Sequence, residues 1–171
     1  CVLANRLSAD PSVSVLLIEA GGKDDWIWIR IPVGYLYCID NPRTDWRFRT
    51  DNEPGLNGRA LNYPRGRVLG GCSSINGMIY MRGQARDYDQ WRQMGNAGWS
   101  WDDVLPYFRR SEANARPGID AGVHGTEGEL SVSDLRDRKP VEQDVLAAEG
   151  EVPLRPCPDV NGEEPEGMGD Y

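Results

Sequence analysis

The sequence holds few histidines and cysteines, the side chains that most often bind zinc and other transition metals. Among 171 residues there is one histidine, His124, in a Gly-rich segment just before Gly125. The cysteines at positions 1, 38, 72 and 157 form no Cys-x-x-Cys pair and have no histidine at metal-ligand spacing. These scarcities argue against a metal site and favour free thiols in a reducing compartment. They also favour a loop role for His124 over a catalytic one.

Excess basic charge and long apolar runs are also lacking. The chain has 19 Lys+Arg against 27 Asp+Glu, a formal net charge of -8, which argues against a nucleic-acid partner. No apolar run is long enough to cross a bilayer, and no basic-then-apolar leader is present. We therefore predict a cytoplasmic protein with no membrane span in this chain, while membrane association of the full-length protein stays open.

Glycine and small polar residues are concentrated in one loop, residues 66–78, with the sequence GRVLGGCSSINGM. Gly70 and Gly71 lack a Cβ atom, so they can adopt positive φ and let a ligand approach the main chain. A helix beginning near Asn76 would add free N–H groups that favour an anionic partner. The loop suits a pyrophosphate or a flavin ring, and nearby Arg59, Arg65 and Arg67 suit a phosphate. The alternatives are a plain turn between packed elements and a solvated basic patch.

The first twenty residues resemble part of a dinucleotide-binding unit. Residues 1–7 read as the end of a helix, and the β-branched run 13–18 predicts a buried parallel strand. Such a strand requires an earlier one, so we expect the chain to be truncated at its start, and its uncapped end at Tyr171 predicts a second cut. An acidic residue at the tip of the second strand binds ribose hydroxyls in this unit. Glu19 stands at that tip, the alternative being a merely solvated carboxylate.

The rest of the chain mixes short elements with irregular stretches. Residues 24–42 are irregular and aromatic. The patterns predict a hairpin of 45–50 with 59–63, a helix over 85–94, a helix starting at Ser100 with Asp103 completing a capping box, a strand at 130–132 and a helix over 140–149.

Several motifs at consistent spacing resemble one family, the glucose-methanol-choline (GMC) oxidoreductases, which oxidise alcohols with FAD. The segment from Gly66 to Asp89 is similar to the family's first signature, with Cys72 as its one departure, where Gly, Ser or Thr is preferred. Further matching motifs are Leu17–Gly21, Asp45–Trp46, Arg82–Gly83, Asp87–Asp89, Gly98–Trp99, His124–Gly125 and Asp159–Gly162. Within the family, the sequence is most similar to bacterial choline and alcohol dehydrogenases.

The resemblance implies an α/β fold, α+β in parts. Residues 1–135 would be a fragment of a Rossmann-like FAD-binding domain with hairpin and helical insertions, and residues 136–171 the start of a substrate-binding domain. The implied FAD-binding residues are Glu19, Val68, Gly70, Gly71, Cys72, Ser73, Asn76, Gly77, Met78 and Ile79. Relatives that bond covalently to FAD can carry histidine at the position of Asn76. An amide cannot form that bond, so non-covalent FAD is expected.

The implied reaction is hydride removal from an alcohol, choline or another primary alcohol, to N5 of the flavin, with a histidine base taking the hydroxyl proton. That histidine lies in the family's C-terminal portion and is not His124, so no catalytic residue is assigned and this chain alone is expected to be inactive. The electron acceptor is undetermined. Two alternatives stay open: a non-catalytic dinucleotide-binding or interaction module, and part of an NAD-dependent dehydrogenase. The Asn76 loop, which a simple NAD fold does not require, disfavours the latter.

Overall fold

The computed structural model describes residues 1–135, 139–148, 155–163 and 165–169. They fall into two compact units, residues 1–78 and 79–171. The domain boundary predicted between residues 135 and 136 lies inside the second unit and stays a prediction. None of the described helices is both long and apolar enough to span a membrane.

The helices and strands are short and are joined by long irregular segments. The α-helices are α1 (Val2–Leu7), α2 (Ile27–Arg30), α3 (Tyr35–Cys38), α4 (Ala85–Gln93), α5 (Trp101–Ser111) and α6 (Pro140–Ala147). The strands are β1 (Phe48–Arg49), β2 (Asn62–Tyr63), β3 (Glu112–Asn114) and β4 (Leu130–Val132). Single turns of 3₁₀ helix occupy Pro32–Gly34, Pro54–Leu56 and Gly71–Ser74.

The predicted parallel strand over residues 13–18 does not form, and this prediction is wrong for the chain as described. The segment has no regular structure, and the Leu16 and Ile18 side chains are 85% and 84% exposed. A strand exists only through hydrogen bonds to a neighbouring strand, and a parallel strand also needs apolar cover on both faces. No described residue pairs with residues 13–18, so the apolar run lacks the partner that would make it a strand.

The core of the first unit is small and forms around the segment that the sequence left irregular. Short helices α2 and α3 flank the 3₁₀ turn and bring Trp26 and Trp28 against buried Cys38, Val68 and Ile75. Val68 and Ile75 belong to the glycine-rich loop. The loop is therefore anchored by its two apolar side chains, while the polar residues between and beyond them face outward.

The predicted hairpin is confirmed, although it is shorter than expected. β1 and β2 pair antiparallel, with Phe48 opposite Tyr63 and Arg49 opposite Asn62. In the connection, Asn57 and Gly58 both have positive φ, 58° and 71°, which Asn and Gly adopt at least cost.

The second unit contains the longer helices, and the predicted capping box at the start of α5 is confirmed. α5 begins after Ser100, whose side chain accepts a hydrogen bond from the Asp103 amide while the Asp103 carboxylate accepts one from the Ser100 amide. α4 ends at Gln93, and Gly95 follows with a φ of 102°.

A two-stranded parallel sheet follows directly after α5. The predicted strand at residues 130–132 is β4, and it pairs with β3, which the sequence did not indicate. β3 carries Glu112 and Asn114, two buried polar residues. The predicted helix over 140–149 is α6, with its last predicted residue outside the described ranges.

Candidate functional site

The glycine-rich loop of the first unit packs directly on the segment that follows Glu19. Gly22 and Val68 form an isolated parallel β-bridge, and the Leu69 amide donates a hydrogen bond to the Gly22 carbonyl at 2.9 Å. A Cβ atom added to Gly21 would overlap the backbone carbonyl of Arg67. This close backbone approach brings the predicted ribose-binding residue beside the predicted phosphate-binding loop, so the two parts of the sequence prediction meet in one place.

Within the loop, the backbone turns at two successive glycines. Gly70 and Gly71 have φ values of 90° and 58°, as their predicted role requires. The turn is fixed by the Ser74 hydroxyl, which donates to the Leu69 carbonyl at 2.7 Å, and by the Gly66 amide, which lies 3.4 Å from the Cys72 sulfur. The Cys72 thiol is thus accommodated in the loop without disrupting it.

The helix predicted to start at Asn76 does not form, which corrects the sequence prediction. The Asn76 side-chain oxygen accepts a hydrogen bond from the Met78 amide at 2.8 Å, and Met78 has a φ of 60°. This local turn competes with helix formation, as short polar side chains often do. The one helical turn in the region is the 3₁₀ segment Gly71–Ser74.

The predicted cofactor residues differ in what they can offer a ligand. Glu19 is exposed, with one carboxylate oxygen accepting the Gly21 amide at 2.8 Å. Val68 is 1% exposed and belongs to the core of the first unit, so it has almost no surface to offer a ligand, and its cofactor role stays a prediction. Met78 and Ile79 are 57% and 61% exposed. Met78 is the last residue of the first unit, and Ile79 is the first residue of the second. The others are exposed or partly so: Gly70, Gly71, Cys72, Ser73, Asn76 and Gly77.

The arginines near the loop have local partners. The Arg65 guanidinium lies over the Tyr63 ring at 3.9 Å and that of Arg67 over the Trp46 ring at 5.2 Å. The Arg59 guanidinium donates to the Leu56 carbonyl at 3.0 Å. The predicted phosphate role of these side chains is not tested by these contacts and stays a prediction.

A buried ionic cluster in the second unit was missed by the sequence reasoning. Its centre is Glu112, whose side chain is fully buried. The carboxylate lies 2.5 Å from the Arg82 guanidinium and 3.0 Å from His124 Nδ1, and it accepts the Gly125 amide and the Asn114 side-chain amide, each at 3.0 Å. Burial raises the pKa of Glu112, but these hydrogen bonds and the Arg82 charge together hold it below its ordinary value.

His124 joins Glu112 to a second carboxylate. Its Nε2 lies 2.7 Å from Asp159, which also pairs with Arg116 at 3.3 Å. The His124 side chain is 1% exposed and both ring nitrogens face carboxylates, so it is not placed to act as a base on a substrate. It lies in a loop, as predicted, but His124 itself is buried there together with Val123. Burial raises the pKa of Asp159, yet hydrogen bonds from His124 and the Asn161 amide, with nearby positive charge, lower it overall.

Asn161 connects this cluster to the residues that follow the glycine-rich loop. Its side-chain oxygen accepts from the Arg82 amide at 2.7 Å, and its side-chain amide donates to the Tyr80 carbonyl at 2.8 Å. The motif matches Arg82–Gly83, His124–Gly125 and Asp159–Gly162 were the available signal. They marked these positions as family-like without revealing that they contact one another.

We expect the stability of the second unit to fall as the pH falls below about 5. The pKa values of Glu112 and Asp159 are lower in the folded protein than in the unfolded chain, so the unfolded chain binds protons first as the pH falls. The stabilisation from these carboxylates is therefore complete above their ordinary pKa values. It is lost as the pH falls through their lower pKa values in the folded protein. Urea unfolding from about pH 7 to about pH 3 measures this. Asp159→Asn should give a shallower pH dependence, and an unchanged slope would contradict the assignment.

The model of the GMC oxidoreductase family matches residues 10–171. The chain is 44% identical to an alcohol dehydrogenase [acceptor] of Pseudomonas putida, covering 100% of this chain and 31% of that protein, and 44% identical to an oxygen-dependent choline dehydrogenase of Photobacterium profundum, covering 99% and 30%. The structure of an FAD-dependent oxidoreductase from Chaetomium thermophilum superposes on this chain with a TM-score of 0.72 at 34% identity. The match covers 89% of this chain and 27% of that protein.

The chain thus spans about a third of the length of the relatives that it matches. The match covers the glycine-rich loop of the first unit and the buried cluster of the second alike. The resemblance seen in the sequence motifs is confirmed, and with it the interpretation of the fold as part of a Rossmann-like domain. The chain belongs to the GMC oxidoreductase family.

Proposed function

We propose that this chain is the FAD-binding part of an oxidoreductase that acts on the CH–OH group of an alcohol, choline or another primary alcohol. The observation that carries the proposal is the contact between Gly21–Gly22 and Arg67–Leu69, which sets Glu19 beside the glycine-rich loop. The matched relatives, an alcohol dehydrogenase and a choline dehydrogenase, support the substrate class.

The residues present fit a dinucleotide in two respects. The Glu19 carboxylate is exposed and has an oxygen that the Gly21 amide does not use, so it can accept ribose hydroxyls. The positive φ at Gly70 and Gly71 leaves loop backbone open to a close ligand. FAD would supply the hydride acceptor for the reaction. Val68 would support the loop from the core of the unit, and Asn76 to Ile79 would lie against the flavin end.

The chain contributes binding rather than proton transfer in this proposal. Its one histidine is engaged by Glu112 and Asp159, so a base for the alcohol hydroxyl must come from elsewhere in the protein. Activity of the isolated chain is therefore not expected. Four free cysteines agree with a reducing, cytoplasmic location.

The test is a visible spectrum of the purified full-length protein that contains this chain, followed by acid precipitation. We expect flavin absorption, with FAD released into the supernatant because the Asn76 amide cannot form a covalent link. Flavin that stays in the pellet would keep the flavoenzyme proposal but overturn the non-covalent one. Protein that is colourless and cannot be reconstituted with FAD would favour the non-catalytic module, and added NAD would then test the remaining alternative.

A further inference from the structure

We propose that a polar cleft of the first unit binds a small oxyanion, the phosphate or carboxylate group of a ligand, through Arg47, Arg49 and Asn62. The cleft has a volume of about 370 Å³ and lies beside the β1–β2 hairpin. All the residues that line it belong to the first unit. The proposal goes beyond the proposed function and does not depend on FAD binding.

The hairpin brings suitable donors into the cleft. Arg49 on β1 stands opposite Asn62 on β2, so the two side chains are cross-strand neighbours. Arg47, which precedes β1, adds a second guanidinium to the same lining. A guanidinium presents its N–H groups in a planar fork that matches the oxygens of a carboxylate or phosphate, and the Asn62 side-chain amide offers further N–H groups.

These donors are not used by the protein itself. Within the part of the chain that the structure describes, the side chains of Arg47, Arg49 and Asn62 make no hydrogen bond and no ion pair. Two other arginines of the region differ in this respect, since Arg65 lies over the Tyr63 ring and Arg67 over the Trp46 ring. The cleft thus holds two guanidinium groups that are available to a ligand.

A buried carboxylate sets the shape of the cleft. Asp45 is 3% exposed and accepts hydrogen bonds from three backbone amides, those of Asp40, Arg47 and Arg65, at 2.8, 2.9 and 3.0 Å. Burial raises the pKa of Asp45, but these bonds and the nearby Arg47 charge hold it below its ordinary value. Asp45 is therefore a fixed carboxylate whose oxygens are already satisfied, and it ties three segments together around the cleft.

Two of the residues tied to Asp45 have an unusual backbone. Asp40 and Arg47 have φ values of 60° and 56°, in the left-handed region that residues other than glycine seldom adopt. Strained residues of this kind are concentrated at binding sites. Arg47 is exposed, so packing of its side chain in a core does not account for its conformation. Its position in the lining of the cleft does.

The charge around the cleft favours an anion. Residues 43–67 contain six arginines and three acidic residues, although the chain as a whole has a net charge of -8. Of the two acidic residues that line the cleft, Asp45 is satisfied by backbone amides, and Asp40 opposes two arginines. A ligand oxyanion therefore meets an excess of positive charge.

The test is a calorimetric titration of the full-length protein, as purified with any FAD that it binds, with inorganic phosphate at constant ionic strength. A parallel titration with succinate uses a carboxylate probe instead. We expect Arg49→Gln to raise the Kd for phosphate at least about tenfold, because one charge-assisted contact is removed. The matched control is Arg86→Gln, the same change at an exposed position of α4, which should leave the Kd unchanged.

A second variant should act in the opposite direction. Asp40→Asn keeps the size of the side chain, and asparagine tolerates the left-handed conformation of Asp40. The change removes the negative charge that would repel the anion, so we expect the Kd for phosphate to fall about threefold. A variant that binds more tightly than the wild-type protein cannot owe its effect to a loss of folding.

Each outcome decides the proposal. The absence of saturable binding of either anion up to about 10 mM would overturn it, as would a Kd that Arg49→Gln leaves unchanged. An equal loss in Arg86→Gln, or weaker binding in Asp40→Asn, would also contradict it. Where binding follows the expected pattern, the tighter of the two probes identifies the group as phosphate or carboxylate. A protein that binds the anion in this way but binds no FAD would overturn the proposed function alone.

Discussion

Glu112→Gln is expected to lower the free energy of unfolding by about 3–5 kcal/mol, the range seen when one partner of a buried ion pair is removed. The amide has nearly the shape of the carboxylate, so packing is preserved. However, its NH₂ group must replace an oxygen that now accepts hydrogen bonds, and the Arg82 charge loses its buried counter-ion. An uncompensated buried cation is costly because no water reaches it.

Urea unfolding followed by tryptophan fluorescence measures this effect. The control is Glu127→Gln, which makes the same chemical change at an exposed position on the same unit and should alter the free energy by less than about 0.5 kcal/mol. If the two variants were equally stable, the buried carboxylate would contribute no more than a surface charge, and the description of the cluster as tightly coupled would be wrong.

The elements that the sequence predicted correctly are those whose signals are local. The capping box at Ser100 and Asp103, and the left-handed Asn57–Gly58 pair, are set by residues a few positions apart. Such signals do not depend on the rest of the protein, so α5 and the hairpin formed where expected. The helix at Asn76 failed for an equally local reason, because the Asn76 side chain turns the backbone at Met78 instead.

The errors and omissions concern contacts that are distant in sequence. Residues 13–18 have the composition of a buried strand, but composition does not supply the neighbouring strand that would pair with them. The ionic cluster joins Arg82, Glu112, His124 and Asp159, which show no periodicity and no fixed spacing that pattern analysis could detect. Three motif matches, Arg82–Gly83, His124–Gly125 and Asp159–Gly162, were the visible signal, and the burial of His124 could not be inferred from them.

The candidate site was predicted in part from local signals, while one of its contacts between distant residues was not. Its residue types were predicted from one glycine-rich loop and one strand-end carboxylate, and the structure places the two segments together through Gly22 and Val68. What the sequence did not indicate is the reason for Gly21. The backbone of Arg67 passes so close that only a residue without a Cβ atom fits there.

Gly21→Ala is therefore expected to destabilise the first unit by about 3 kcal/mol, the upper part of the range for overpacking. The added methyl group would overlap the Arg67 carbonyl and the Val68 amide, which are backbone atoms and cannot rotate away. The loop must separate from residues 21–22, which breaks the bond from the Leu69 amide to the Gly22 carbonyl. FAD binding should weaken at least about tenfold, because Glu19 then moves away from the loop.

Gly22→Ala provides the matched control, since a Cβ atom on Gly22 meets nothing within 4 Å. The two variants add the same methyl group at adjacent positions, and Ala restricts the unfolded chain equally in both. A difference between them in urea unfolding and in FAD titration thus isolates the clash with Arg67. Equal behaviour would mean that the close backbone approach is dispensable, and the pairing of Glu19 with the glycine-rich loop would lose its structural basis.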